Sequence, residues 1–193
     1  MEFFDTAYQG TPPWEIGRPQ KEFVDLVRRG ELRGSVLDIG CGTGENALFF
    51  AAEGHEVWGI DAVPLAIQKA EEKAAGRGLA VRFQVMDVLA ALSRLGRAFD
   101  AVTDSGFFHT LSDDDRPVFV TGLASVLSPH GSYFMLCFSD REPPGYGPRR
   151  ITQDEIRDTF HDGWSVRSIR PAVFESRTRA EGSRAWFASV EKR

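Results

Sequence analysis

The sequence predicts an α/β fold in which a doubly wound, seven-stranded sheet is mostly parallel and ends in an antiparallel hairpin. Short apolar segments typical of strands alternate with helix-like segments from residue 35 to about residue 160. Two more strand-like segments then follow without a helix between them, which favours a hairpin. A length of 193 residues suits one domain, so we expect residues 1–34 to cap a core formed by residues 35–193.

The first five strands are predicted from short apolar runs. They cover residues 35–39, 55–60, 80–85, 99–104 and 132–138. The connecting helices are predicted at residues 45–53, 64–75, 88–94 and 113–127. Pro64 is tolerated in a first helical turn, and the acidic residues 113–115 suit the positive N-terminal end of a helix. Strands joined by helical crossovers pair in parallel, with helices on both faces of the sheet.

The last part of the chain predicts one more helix and then the hairpin. Thr152 and Glu155 have the spacing of a capping box, which begins a helix over residues 152–160. The two strands and the turn of the hairpin are predicted at residues 164–170, 184–191 and 177–182. Because no crossover separates these strands, we expect them to pair antiparallel.

Residues 1–34 differ in composition from the rest of the chain. Phe3, Phe4, Tyr8 and Trp14 stand there among prolines and glycines. This composition predicts an aromatic-rich segment that packs over the sheet's edge, followed by a helix from about residue 20 to residue 29.

Charge and composition disfavour several classes of partner. Lys and Arg number 23 against 28 Asp and Glu, a net charge of −5, which argues against nucleic acid because a phosphate backbone binds clustered positive charge. The 2 cysteines lack metal-ligand spacing, so we expect neither a metal nor a disulfide framework. The apolar runs fall short of the roughly 20 residues that cross a bilayer, and the N-terminus does not resemble a signal peptide. We therefore expect a cytoplasmic protein without a membrane partner.

The strongest motif is a glycine loop that follows the first strand. Gly40, Gly42 and Gly44 stand at alternate positions between a buried strand and a helix, so backbone can approach a ligand closely. A dinucleotide fingerprint would place its third glycine at position 45, where this chain has Glu45. A glutamate at the helix start disfavours a pyrophosphate, and no Gly-Lys-Ser/Thr follows as in a phosphate-binding loop.

Two acidic residues extend this motif towards a nucleoside. Asp61 ends the second strand, where an acid in a doubly wound fold accepts both hydroxyls of a ribose. Asp87 ends the third strand and could accept a hydrogen bond from an adenine amino group, although an aspartate there is also a common helix cap. Adenosine without phosphates is thus implied, and S-adenosylmethionine fits that description.

The segments VLDIGCGTGENA, GIDAV, QVMDV and FDAVTDSGFFHTL resemble motifs I to IV of the class I S-adenosylmethionine-dependent methyltransferases, which have a Rossmann-like fold. The resemblance implies that the glycine loop lines the methionine part of the donor, with S-adenosylhomocysteine as the product. The donor-binding residues that it implies are Asp38, Gly40, Cys41, Gly42, Gly44, Asp61, Ala62, Asp87, Val88 and Ser105.

A narrower resemblance rests on TPPWEIGRPQ, GFFH and LCFSD. These segments are similar to those of the small thiopurine, thiol and halide methyltransferases, and more closely to bacterial enzymes that methylate benzoquinols and hydroxylated heterocycles. The resemblance implies that the N-terminal segment closes over the donor as a lid. Trp14, Tyr8 and Gln20 are then lid residues, and Trp14 contacts the donor.

The candidate catalytic residues lie in and after the fourth motif. His109 is a candidate general base, and Asp104, beneath the donor, is a second one. A capping or core histidine would look the same in the sequence. The candidate residues of the acceptor pocket are Tyr8, Phe107, Phe108, Asp140 and Arg141, although core packing or solvated loops would also explain the last four.

The function that these motifs predict is methyl transfer to an oxygen or sulfur nucleophile of a small, aromatic or apolar molecule. Such an acceptor needs little help to ionise, and alignment with the donor supplies much of the rate. Two alternatives stay open: methylation of a macromolecule, although no basic extension is present, and a non-catalytic module that binds the donor. Either a monomer or a homodimer is compatible with the sequence.

Overall fold

A computed structural model describes residues 2–145 and 147–193. Met1, the first residue of the predicted cap, and Tyr146 lie outside the described residues. The helices are α1 (Glu2–Gln9), α2 (Lys21–Arg28), α3 (Glu45–Ala52), α4 (Pro64–Arg77), α5 (Val88–Ala91), α6 (Asp115–Val126) and α7 (Gln153–Thr159). The strands are β1 (Val36–Ile39), β2 (Val57–Asp61), β3 (Val81–Val85), β4 (Phe99–Ser105), β5 (Leu127–Phe138), β6 (Trp164–Phe174) and β7 (Ser183–Lys192). Short 3₁₀ turns lie at Leu92–Arg94 and Phe108–Thr110.

The strands form one seven-stranded sheet in the order β3-β2-β1-β4-β5-β7-β6. Strands β1 to β5 pair in parallel, whereas β7 pairs antiparallel with both β5 and β6. The predicted fold class, including the antiparallel C-terminal end, is therefore confirmed. The second strand of the hairpin lies inside the sheet, so β6 forms the edge.

Helices cover both faces of the sheet, as the alternating pattern predicts. One core cluster includes Leu37, Tyr133 and Trp186 and packs beneath α5, α6 and α7. The other includes Phe23 and Phe50, from α2 and α3, against Phe187. The capping box that begins α7 is formed as predicted, with Thr152 Oγ1 accepting from the Glu155 amide.

The N-terminal segment contains a helix, α1, that the sequence did not indicate. Its residues have modest helix propensity, and a helix of 8 residues is too short to be stable alone. Tertiary contacts stabilise it instead: Tyr8 and Phe4 pack with Val63 at the start of α4, and Lys69 Nζ donates to the Tyr8 carbonyl at 2.6 Å.

None of the helices within residues 2–145 and 147–193 combines the length and hydropathy that a membrane span requires.

Candidate functional site

The predicted donor motifs meet where the strand order reverses, between β1 and β4. In open α/β sheets this crevice, beyond the carboxyl ends of the strands, is where ligands bind. Strand β1 delivers the glycine loop, β2 ends at Asp61, and β4 ends at Ser105. A surface cleft of about 440 Å³ at the opposite end of the sheet is lined by Asp100 and His130, and it contains neither the glycine loop nor Asp61 nor Ser105.

The glycine loop forms a cradle that side chains would fill. Gly40, Gly42 and Gly44 have φ angles of 61°, 55° and 85°, in the left-handed region that favours glycine. A Cβ atom on Gly42 would stand 2.7 Å from the hydroxyl oxygen of Tyr8, and one on Gly40 would stand 3.3 Å from Phe107. Gly40 and Gly42 therefore keep backbone bare where the Phe107 ring and the N-terminal segment approach it, whereas Gly44 lies against Phe83 and Ala70.

Asp61 fixes the shape of this loop. Its Oδ2 accepts from the Gly42 amide and its Oδ1 from the Val63 amide, both at 2.9 Å. Burial raises the pKa of Asp61, while these two amides oppose the rise. Each carboxylate oxygen has a second lone pair, so the same side chain can hold the loop and accept from a ribose hydroxyl.

Asp38 places an unpartnered carboxylate oxygen beneath the loop. Its Oδ1 accepts from the Thr103 hydroxyl at 2.7 Å, whereas its Oδ2 is buried with no hydrogen-bond partner among the described residues. Burial raises the pKa of Asp38 to about 7. A buried acceptor left open in this way suits a cationic group such as the ammonium of an amino-acid moiety.

The third motif has a structural role that the sequence left open. Asp87 Oδ1 accepts from the amides of Leu89 and Ala90, so Asp87 caps α5. Its carboxylate is exposed and retains Oδ2 for a ligand, while Val88 is buried beside it.

The other predicted donor-site residues are Cys41, Ala62 and Ser105. Burial raises the pKa of the Cys41 thiol, which favours a small packing residue over a reactive one. Ala62 and Ser105 lie next to the ends of β2 and β4.

The N-terminal segment lies directly above the glycine loop. Trp14 Nε1 donates to the Tyr8 hydroxyl at 3.0 Å, and burial raises the pKa of Tyr8 above its ordinary value. Glu15 accepts from the backbone amide and the hydroxyl of Thr43 within the loop. Lys73, on α4, completes this contact by donating to Glu45 and lying 3.6 Å from Glu15. Glu15 belongs to the TPPWEIGRPQ segment but was not singled out from the sequence, because only the fold shows that Thr43 and Lys73 are its partners.

The other end of this segment is tied to the C-terminal hairpin. Arg18 pairs with Glu175 through two hydrogen bonds of 2.9 Å. Gln20 donates to the Glu175 carbonyl and accepts from its amide. The Arg177 amide donates to the Pro13 carbonyl at 2.8 Å. Segments far apart in sequence thus close over one side of the crevice.

Asp104 holds the turn that follows β4. Its Oδ1 accepts from the Phe107 amide, and its Oδ2 accepts from the Phe108 amide and the Tyr133 hydroxyl at 2.7 Å. The carboxylate is fully buried, and burial raises its pKa to about 6. With three donors in place, Asp104 is suited to position the turn rather than to take a proton from an acceptor.

His109 lies in this turn and is nearly buried. Its Nδ1 accepts from the Phe138 amide at 3.0 Å. The rings of Phe138 and Phe174 stand 5.0 and 5.8 Å from the imidazole centroid. Burial, with a smaller effect of Arg150, lowers the pKa of His109 to about 3. Phe138 and Phe174 were not singled out in the sequence, because only the pairing of β5, β7 and β6 brings them to His109.

The remaining pocket candidates separate into two groups. Phe107 is partly exposed and faces Gly40, as a pocket wall should. Phe108 instead packs in the core against Phe119 and Phe160, which covers its ring. Two others are engaged by Trp186: its Nε1 donates to Asp140 at 3.1 Å, and the Arg141 guanidinium lies 4.6 Å from its ring. The geometry thus favours Phe107 over Phe108, Asp140 and Arg141 as a contact for an acceptor.

Within the part of the chain that the structure describes, no group of three or more His, Cys, Asp or Glu side chains could hold a metal ion.

Residues 36–131 match a family model described as a methyltransferase domain. Among curated proteins, the 2-heptyl-1-hydroxyquinolin-4(1H)-one methyltransferase of Mycobacteroides abscessus is 36% identical over 183 residues, which span 89% of this chain and 80% of that protein.

Solved structures are similar over nearly the whole chain. One, described by the conversion of a disulfide bond into a thioacetal group during echinomycin biosynthesis, has a TM-score of 0.88 and 34% identity, covering 99% of this chain and 92% of that one. Magnesium protoporphyrin IX methyltransferase from Synechocystis, solved with bound S-adenosylmethionine, has a TM-score of 0.68 and 21% identity, covering 90% and 77%.

Proposed function

Since this chain belongs to the S-adenosylmethionine-dependent methyltransferase family, we propose that it methylates an oxygen or sulfur nucleophile of a small, aromatic or apolar molecule. When bound, the donor supplies a methyl group that its sulfonium already activates. The chain therefore has to bind the donor, align the acceptor and exclude water.

The observation that carries the donor site is the glycine loop pinned to Asp61 above the unpartnered oxygen of Asp38. Gly40 and Gly42 present bare backbone to the methionine part, and the open Asp38 Oδ2 suits its ammonium. Asp61 suits the ribose hydroxyls, and the free oxygen of Asp87 suits the adenine amino group. We assign Cys41, Gly44, Ala62, Val88 and Ser105 to the same site as neighbours of these contacts.

The acceptor pocket is proposed beside the turn after β4. Phe107 faces the glycine loop, while Phe138 and Phe174 flank His109. Aromatic walls of this kind bind a flat ring by offset stacking. The Mycobacteroides relative is named for a hydroxylated ring system, and the echinomycin structure is described by a reaction at sulfur. Both similarities support a small acceptor with one of these nucleophiles.

Residues 1–34 are proposed as the lid of this site. Trp14, Tyr8 and Glu15 cover the glycine loop, and Gln20 with Arg18 joins the segment to the hairpin. A closed lid keeps water from a desolvated thiolate or phenolate, which then attacks more readily.

Calorimetric titration with S-adenosylmethionine and S-adenosylhomocysteine tests the donor site. We expect micromolar binding to the wild type and a loss of at least tenfold in Asp61→Asn, because the amide exchanges an acceptor oxygen for a donor. The matched control is Asp100→Asn, whose carboxylate binds Ser35 at the opposite end of the sheet and should not affect donor binding. Equal affinity in wild type and Asp61→Asn would contradict the assignment.

A panel of phenols, thiols, quinols and hydroxylated heterocycles then tests the reaction. Methylation of at least one member, lost on adding excess S-adenosylhomocysteine, is the expected result. Donor binding without turnover on the panel would favour a non-catalytic module, and turnover only on protein or nucleic acid would favour a macromolecular acceptor.

A further inference from the structure

The hydrogen bond to His109 determines which of its nitrogens carries a proton. The Phe138 amide donates to Nδ1, so Nδ1 must present a lone pair. A neutral imidazole with a bare Nδ1 carries its proton on Nε2. A proton on Nδ1 would instead face the Phe138 N–H and remove that backbone group's acceptor.

This tautomer leaves His109 without a nitrogen that can take a proton from an acceptor. Nε2 already carries a hydrogen, and Nδ1 is occupied by a backbone amide on β5. Full protonation would break the hydrogen bond to Phe138 and place a cation between two phenylalanine rings. The other candidate base, Asp104, is fully buried and accepts from three donors.

Nε2–H itself is a donor that the described residues do not use. No described residue accepts a hydrogen bond from it. A Cβ atom on Gly106 would stand 3.2 Å from Nε2 and 3.1 Å from the Phe174 ring, so a glycine is needed for the backbone to lie this close to the imidazole. Gly106 directly follows β4, at the carboxyl end of the sheet where the donor and acceptor sites are proposed.

We propose that His109 acts as a neutral hydrogen-bond donor through Nε2–H, and that the acceptor is a flat ring whose acidic hydroxyl or thiol enters the pocket already ionised. This inference rests on the proposed function and narrows its substrate class. The acceptor loses its proton to solvent before binding. Its electron pair then forms the new bond to the methyl carbon as the methyl–sulfur bond breaks, with those electrons staying on sulfur, so no proton remains to be transferred.

The charges around His109 agree with an anionic acceptor. The Arg150 guanidinium lies 5.6 Å from the Phe138 ring centroid and acts on His109 from the segment before α7. Phe138 on β5 and Phe174 on β6 bring no charge. The next charges are Asp104, bonded to Tyr133, and Arg116, which lies over the Phe108 ring and pairs with Glu155. Of these charges, the one that acts on the pKa of His109 is Arg150, which is positive.

The first test compares pH profiles across acceptors of different acidity. In this test the wild type is assayed at saturating donor with nitrophenols and thiophenols that ionise between about pH 5 and pH 10. We expect the acidic limb of kcat/KM to move with the ionisation of each free acceptor. A limb that stays at one pH for every acceptor would reveal a base on the enzyme and overturn the proposal.

The second test separates the two nitrogens of His109. His109→Asn keeps an oxygen near the position of Nδ1 to accept from Phe138 but removes the Nε2 donor, whereas His109→Gln places an amide N–H near Nε2. We expect His109→Asn to bind donor as the wild type does and to lose at least tenfold in kcat/KM, and His109→Gln to recover at least threefold of that loss. Equal rates in His109→Asn and the wild type would overturn a donor role.

A spectroscopic measurement reads the same contact without turnover. 4-Nitrophenol bound in the presence of S-adenosylhomocysteine should show phenolate absorption at a lower pH than free nitrophenol, with a smaller shift in His109→Asn. Bound nitrophenol that stays protonated would contradict the inference. If the wild type binds the donor but methylates no panel member, the proposed function fails and this inference fails with it. If the enzyme does methylate panel members but the acidic limb of kcat/KM stays at one pH for every acceptor, this inference is wrong and the proposed function stands.

Discussion

Asp38, which we propose as a donor-binding residue, is a buried carboxylate whose titration should also affect stability. Burial holds its pKa near 7, well above its ordinary value of 3.8. Between about pH 4 and pH 7, the native protein therefore keeps a proton on Asp38 that the unfolded chain has already lost. Unfolding releases this proton, so the free energy of unfolding falls as the pH rises through that window.

We predict that Asp38→Asn removes this contribution. The difference in free energy of unfolding between Asp38→Asn and the wild type should grow in favour of the variant from about pH 4 to about pH 7, with a limiting slope of about 1.4 kcal/mol per pH unit. Asp104, whose pKa is also raised, is present in both proteins, so its titration cancels apart from its electrostatic interaction with Asp38. Urea denaturation of the donor-free proteins at several pH values measures the difference. Parallel stability curves would show that Asp38 titrates normally.

The positions of the candidate donor-site residues are easier to predict from the sequence than the roles of the candidate catalytic residues, for a physical reason. The positions of Gly40, Gly42 and Asp61 follow directly from strand ends and their spacing, because the geometry of the loop depends on local backbone. The roles of Asp104 and His109 depend on partners that lie far along the chain. Tyr133 occupies Asp104, and the Phe138 amide sets the tautomer of His109. Both partners lie on β5, and only the tertiary structure shows that β5 pairs with β4.

At the scale of elements, the N-terminal segment works through its aromatic contacts. Trp14 stands edge-on to Tyr8 at 6.1 Å and to Phe4 at 5.9 Å, and it donates to the Tyr8 hydroxyl. Tyr8 in turn lies against Gly42. Trp14 is thus the side chain that holds the lid aromatics over the loop.

We predict that Trp14→Ala raises the dissociation constant of S-adenosylhomocysteine by at least tenfold. The variant removes packing and a hydrogen bond from the lid without touching the glycine loop. Phe3→Ala is the matched control, because Phe3 belongs to the same aromatic group but is 57% exposed. We expect it to change the constant by less than threefold. Calorimetric titration measures both dissociation constants, and a similar increase in the two variants would contradict a specific role for Trp14.

The helices and strands themselves were largely predictable, with one instructive exception. Each crossover helix of the core and the antiparallel hairpin follow from periodicity and from the turn between residues 174 and 183. Helix α1 did not, because its stability comes from Val63 and Lys69 on α4. A short segment that folds only against a distant element carries little local signal.

At the scale of the whole molecule, the hairpin completes the site that the parallel strands begin. Strand β7 lies between β5 and β6, which brings Phe174 to His109 and sets Glu175 opposite Arg18. The N-terminal segment, the proposed lid, is therefore held by α4 on one side and by the hairpin on the other. Donor binding beneath this segment should therefore reduce local opening where it contacts α4 and where it contacts the hairpin.

Hydrogen–deuterium exchange tests this coupling. We predict that S-adenosylhomocysteine slows exchange in the glycine loop, in residues 10–20 and in residues 174–177, while the amides near Asp100 at the opposite end of the sheet are unchanged. Glu175→Ala removes the carboxylate that binds Arg18 and the Lys21 amide. In that variant the glycine loop should still be protected, whereas residues 174–177 should lose most of their gain. Protection confined to the glycine loop in the wild type would show that the lid and the hairpin respond independently of the donor.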